Sequence, residues 1–128
     1  MSLENGLRGA LENGHLFMVY QPKVDLESGL VIAAEALLRW CDPVLGDVSP
    51  NQFIPVAEGC GLIMALGERV LDLVLAQIAA WRKQGLNVPR IAINVSAYQL
   101  RNTDFVTNLM VRLESLNLPA TCISIEIT

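Results

Sequence analysis

Apolar residues recur along the chain with two different periods, and the switches between them outline an alternation of helices and strands. Leu3, Leu7 and Leu11 stand four apart, which predicts a short amphipathic helix that Gly6 and Gly9 weaken and Gly14 ends. From Leu16 to Leu26 the chain is rich in Phe, Val and Tyr. Glu27-Ser28-Gly29 then marks a turn, and Leu30 to Trp40 is apolar again, predicting a β-hairpin. Folding back around Ser28-Gly29 brings Gln21 opposite the Glu35 to Leu37 region. The two-residue period of a strand puts Glu35, Leu37 and Arg39 on one face.

Ser49 has the character of a helix N-cap, with Pro50 at the first helical position and Gln52 placed to complete a capping box. Val48 and Phe53 have hydrophobic-staple spacing, and Gly59 and Gly61 break the helix. The next run carries Leu66, Val70, Leu73, Val74, Ile78 and Trp81 on one face; Arg82 and Lys83 fill its last turn and Gly85 lies just beyond. After Pro89, Arg90 to Val95 reads as a short strand. Asn102-Thr103 starts a helix with the apolar face Phe105, Leu109, Leu113 and Leu116, which Pro119 forbids continuing. Ile123 to Thr128 alternates, with Ile123, Ile125 and Ile127 on one face and Ser124, Glu126 and Thr128 on the other. Strand, helices, strand, helix, strand is the order of an α/β barrel or a doubly wound sheet.

Composition changes the picture in one respect. The 128 residues are 52% hydrophobic and 17% charged, against about 25% charged in an average soluble domain. So short a chain should need more polar surface, so the composition argues for a piece of a larger domain; buried parallel strands are the alternative source of the apolar excess. No apolar run reaches the roughly 18 residues a membrane span needs, because Glu, Arg, Asp and Lys interrupt each one. Met1-Ser2-Leu3 reads as an appended leader and lacks the features of a signal peptide. Cys41, Cys60 and Cys122 have no metal-ligand spacing and fit structural thiols of a reducing cytoplasm. A net charge of −4 without a Lys/Arg cluster lacks the electrostatic footprint of a protein that binds a nucleic-acid duplex.

The candidate chemistry starts at Glu35, a carboxylate in the apolar run Ala34-Glu35-Ala36-Leu37-Leu38-Arg39-Trp40. Taking a lone carboxylate out of water is costly, so Glu35 calls for a metal, a cationic partner or solvent. Gln21, Glu35, Asn94 and Glu126 fall on separate predicted strands, the last two near the carboxyl ends, where α/β barrels place reacting groups. Glu35, Asn94 and Glu126 offer only oxygen, which suits a hard Mg²⁺ or Mn²⁺ and not zinc. His15 sits at an expected loop and is a poor ligand candidate. Blander readings compete: Glu35 and Arg39 as surface residues of an edge strand, Asn94 as a turn or capping residue, Glu126 as a solvent-facing position.

The run around Glu35-Ala36-Leu37 does not stand alone. Tyr20-Gln21-Pro22, Ser49-Pro50 with Phe53-Ile54-Pro55, Asn94-Val95-Ser96 and Ile125-Glu126-Ile127-Thr128 accompany it. Together these resemble, in order, the successive motifs of the EAL family, bacterial phosphodiesterases that hydrolyse cyclic di-GMP. The resemblance covers nearly the whole chain. It implies a TIM-like (β/α)₈ barrel of which residues 15–128 would be the amino-terminal half, about four strands opening with the hairpin and stopping within a strand. A leader and short helix would occupy residues 1–14. It further implies Glu35, Asn94 and Glu126 as ligands of Mg²⁺ or Mn²⁺, Arg39 as a phosphate contact, and Gln21 and Leu37 as contacts to the nucleotide. A guanidinium suits the phosphate role because it can hold two oxygens through parallel hydrogen bonds. The implied reaction opens cyclic di-GMP to linear pGpG with metal-activated water.

The family pattern runs on with a further Glu, an Asp-Asp-Phe-Gly segment and a Lys, none of which stands within these residues. The piece alone is therefore expected to be inactive, and its open barrel edges predict a homo-oligomer. The alternatives are a catalytically inactive cyclic di-GMP receptor or a protein-interaction module. A cytoplasmic location is expected, any membrane anchor being left to other domains.

Overall fold

The computed structural model of the protein describes residues 2–128, and Met1 of the expected leader lies outside them. Ser2 caps helix α1, Leu3–Asn13, by accepting from Asn5 N at 3.2 Å, and Gly14 closes it in the left-handed conformation that a side chain would strain. The hairpin follows as β1, Leu16–Val24, and β2, Val31–Asp42. Asp25 organises its connection: its carboxylate accepts from Glu27 N and Ser28 Oγ, while Leu30 O accepts from Asp25 N. A short β3, Gly46–Val48, folds back on the end of β2. Then come α2, Pro50–Cys60; α3, Ile63–Lys83; β4, Arg90–Val95; α4, Ala97–Leu100; α5, Phe105–Ser115; and β5, Ile123–Ile127.

The strands form one sheet in the order β1-β2-β4-β5, with β3 paired to β2. β1 runs antiparallel to β2, whereas β2, β4 and β5 are mutually parallel, joined by helical crossovers as a βαβ chain requires. The helices cover one face. Ala34 and Ala36 of β2, Ile91, Ile93 and Val95 of β4, and Ile123 of β5 pack there against Leu71, Val74, Leu75 and Ile78 of α3 and Phe105, Leu109 and Leu113 of α5. A second cluster around Trp40 and Phe53, whose rings meet edge-on at 5.7 Å, joins α1, α2 and the start of α3 to the end of β2. Among the described residues no helix is long and apolar enough to cross a membrane.

Several local expectations shift. α2 passes through Gly59 and ends at Gly61, whose φ of 82° makes it the true terminator. Ser49 caps α2 by accepting from Asn51 N, but the full reciprocal capping box stands at Ser96 and Gln99, on the short α4 that periodicity does not predict. On α3 the fully buried stripe is Ile63, Leu66, Gly67, Leu71, Val74, Leu75 and Ile78, leaving Val70, Leu73 and Trp81 half-buried. The stripe is broad because α3 lies between the sheet and the other helices. α5 begins at Phe105 and not at Asn102-Thr103. Leu116 is exposed and Leu118 takes its place in the core, because Asn117 at φ 55° turns the chain and Leu118 N bonds Leu113 O at 2.9 Å.

Candidate functional site

The sheet face turned away from the helices gathers the polar candidates level by level. Gln21 is the register partner of Glu35, which pairs with Ala92, which pairs with Ser124. One step toward the carboxyl ends, Val19 partners Leu37 and Asn94 partners Glu126. Arg39 follows on the same face of β2, opposite Phe17. β2 lies inside the sheet, flanked by β1 and β4, so Glu35 and Arg39 are not edge-strand residues. Glu35, Leu37, Arg39, Asn94 and Glu126 are half-buried, and Gln21 is exposed.

One contact joins two of the candidates directly. Asn94 Nδ2 donates to Glu35 Oε2 at 2.9 Å, supplying the partner that a carboxylate in an apolar strand needs. A carboxylate oxygen only accepts, so the nitrogen end of the amide faces it and Asn94 Oδ1 remains for another donor or a cation. Arg39 turns to its own backbone, its Nη1 donating to Leu38 O at 3.0 Å. Among the described residues no group of three or more His, Cys, Asp or Glu converges, so any metal here would rest on two carboxylates and an amide. That oxygen set, on three neighbouring parallel strands, fits a hard divalent cation and does not fit zinc.

Beside these residues a cavity of about 180 Å³ opens between the sheet and α3, bordered by Leu37, Arg39, Asn94, Ser96, Gln99 and Thr128. Among the described residues Ser96 and Gln99 are buried polar residues, together with Asp42. Neither carries a sequence signature of a reacting group; their one signal is the capping-box spacing that starts two residues after Asn94. Displaced ionisations lie elsewhere. Backbone N–H groups of Leu45 and Val44 hold the Asp42 carboxyl below the usual range, and burial pushes the Tyr20 phenol up where it packs edge-on against Trp81. The three cysteines are free thiols, and the hydrogen bond to Asp47 raises the pKa of exposed Cys41, so it is not an activated nucleophile.

The sequence profile of the EAL domain family matches residues 4–128. The chain belongs to the EAL domain family. It is similar to cyclic di-GMP phosphodiesterase PdeR of Escherichia coli strain K12, 43% identical over 126 residues that make up 98% of this chain and 19% of that protein. It is also similar to the bifunctional diguanylate cyclase/cyclic di-GMP phosphodiesterase MucR of Pseudomonas aeruginosa, 39% identical over 128 residues, 100% of this chain and 19% of that protein. Among solved structures, a complex of the PaMucR phosphodiesterase with c-di-GMP superposes with a TM-score of 0.91 at 38% identity, covering 98% of this chain and 51% of that one. The chain thus spans about half of that solved chain and about a fifth of the two curated relatives.

The EAL chain is an α/β structure of the TIM-barrel type, carrying a partial sheet of that barrel. Its Glu35-Ala36-Leu37 tripeptide sits mid-way along β2, with Ala36 under the helices and Glu35 and Leu37 on the open face. Asn94 and Glu126 stand near the carboxyl ends of β4 and β5. That is the end of a (β/α)₈ barrel at which reacting groups collect.

Proposed function

We propose that a complete EAL domain containing this chain hydrolyses cyclic di-GMP to linear pGpG in the presence of Mg²⁺ or Mn²⁺. The observation that carries the reading is the Glu35–Asn94 contact with Glu126 in register beside it, three oxygen-bearing side chains on one open face. The names of the relatives, two of them cyclic di-GMP phosphodiesterases, support the choice of substrate. When bound, a hard divalent cation supplies an acidified water and polarises a phosphoryl oxygen. Glu35, Asn94 and Glu126 would hold that cation. Arg39, released from Leu38 O, would clamp phosphate oxygens, and Gln21 and Leu37 would border the nucleotide. Residues 1–128 by themselves are expected to show no turnover, because two carboxylates and an amide leave a cation poorly held, and to self-associate through their outer strands. Three free cysteines fit a reducing, cytoplasmic setting.

The test is Glu35→Gln in the complete domain, assayed for pGpG release with each metal. Loss beyond the roughly 100-fold that removing an outer partner of a metal ligand costs is expected. A folded variant that kept most of the metal-dependent rate would sink the assignment of Glu35. A parent that bound cyclic di-GMP yet never cleaved it with either metal would replace the enzyme with a nucleotide receptor.

A further inference from the structure

We propose that Gln99 is a positioning residue for Asn94, acting through the Ser96 backbone, and that residue 67 is glycine so that the Gln99 amide can lie against α3. The inference rests on the reading of Asn94 as a metal ligand in phosphodiester cleavage. β4 ends one residue after Asn94. There Ser96 N donates to Gln99 Oε1 at 2.8 Å, and Ser96 Oγ accepts from Gln99 N at 3.4 Å. Both residues are buried, Ser96 at 7% and Gln99 at 6% exposure. On the other side of the strand end, Thr128 N donates to Val95 O at 3.1 Å. The backbone that carries Asn94 is therefore clamped from both flanks just beyond its side chain.

Gly67 shows where the clamp is anchored. A Cβ there would sit 1.8 Å from Gln99 Nε2 and 2.9 Å from Gln99 Cδ, so the amide occupies the space that a side chain on α3 would need. Gly67 has no positive φ to demand glycine, and glycine inside a helix is disfavoured. The packing of Gln99 explains it. α3 is the 21-residue helix that carries much of the core. Gln99 thus packs the end of β4 against that long, core-bearing helix, and the distance from Asn94 to Glu35 depends on this packing. A capping box on a four-residue helix accounts for both bonds by itself; the burial of the pair and the glycine cradle on α3 mark the added role.

The test uses the complete domain carrying Gln99→Ala, Gly67→Ala, the double variant and Gln99→Glu. Gln99→Ala and Gly67→Ala are each expected to lower kcat about 10- to 100-fold with KM nearly unchanged, since displacing a reacting group by about 1 Å costs on that scale. Mn²⁺ affinity without nucleotide, read from the free-ion electron paramagnetic resonance signal, should weaken about 10-fold or more. Gly67→Ala should cost nothing further in the Gln99→Ala background, where its methyl finds vacated space. Gln99→Glu, which keeps the acceptor for Ser96 N, should recover most of the Mn²⁺ affinity. A purely structural Gln99 would lower the urea midpoint and leave Mn²⁺ affinity of the folded protein unmoved. That result, or a double variant whose loss is the product of the two singles, overturns the proposal. Should Gln99→Ala fail to fold, Gln99→Asn, one methylene shorter, carries the same test. If the parent never cleaves cyclic di-GMP while Gln99→Ala still weakens Mn²⁺ binding, the enzymatic reading falls and the positioning role stands.

Discussion

Glu35 and Asn94 meet although they do not share a level of the sheet: Glu35 pairs with Ala92 across the β2–β4 ladder, and the Asn94 amide reaches back diagonally to close 2.9 Å. That reach makes the side chain's length and chemistry decisive. Asn94→Leu, which keeps the branched shape with the same number of heavy atoms, removes the donor to Glu35 and the free amide oxygen together. In the complete domain, kcat/KM is expected to fall about 100-fold or more, the scale set by a misplaced or missing metal-site group. Stability should change by less than about 1 kcal/mol, because half-buried Glu35 can take water in place of the amide. Urea unfolding and steady-state kinetics on one preparation separate the two effects.

The second core depends on one aromatic pair, and its loss should be far more damaging. Phe53 is fully buried against Trp40. Phe53→Ala is expected to cost about 3–5 kcal/mol, the usual range for emptying such a site. Against a typical total of about 5–15 kcal/mol this threatens the fold. Gly6→Ala approaches the same ring from the other side, its methyl placed 3.0 Å from Trp40 Cη2 and Cζ2. A smaller loss and a shifted near-ultraviolet signal from Trp40 are expected, and an unchanged urea midpoint for Phe53→Ala would refute this account of the core.

Asp42 should contribute to acid sensitivity. Its Oδ2 accepts from Val44 N and Leu45 N, each at 2.9 Å, and these bonds lower its pKa in the folded state. A lowered folded pKa means that Asp42 contributes its full stability above its unfolded value of about 3.9 and loses it as pH falls through the folded one. Asp42→Asn should therefore be destabilising at pH 7, and the gap from the parent should shrink at low pH. A gap that stayed constant down to acid unfolding would exclude the linkage.

Self-association of the 128-residue chain is expected from the sheet's outer strands. β1 and β5 stand at the two ends of the strand order, and Val31, Ile32 and Ile127 are exposed near them, Ile127 at 68%. Burying apolar surface contributes about 25 cal/mol per Å², so covering several hundred Å² favours assembly before the entropic cost is subtracted. Light scattering on a gel-filtration column should give a mass above 14.0 kDa at micromolar concentration. A monodisperse species at that mass with no binding of a hydrophobic dye would refute it.

Much of the fold is legible in the sequence. The hairpin turn at Ser28-Gly29 and the two-residue period sufficed to bring Gln21 against Glu35, and the helix over Leu66 to Trp81 was visible from its stripe and its basic last turn. The motif order also pointed to Glu35, Asn94 and Glu126, and the sheet register puts them on one face. What escaped was set by neighbours distant in the chain. The periodic pattern puts Leu116 on the core face, and only the turn at Asn117 brings Leu118 there in its place.

Sequence by itself determined most of the helices and strands, the short β3 and α4 apart, because propensity, capping and alternation act between residues a few positions apart, where backbone sterics and local hydrogen bonds decide. It also placed oxygen donors at the candidate positions, with no His or Cys in metal-ligand spacing. Tertiary structure alone decided that Asn94, 59 residues from Glu35, gives that carboxylate its partner, and that Gln99 needs the absent side chain of Gly67. Both contacts depend on strand order, on which sheet face the helices cover and on how closely α3 approaches α4. Those are packing outcomes, settled only when distant segments compete to bury the same apolar surface.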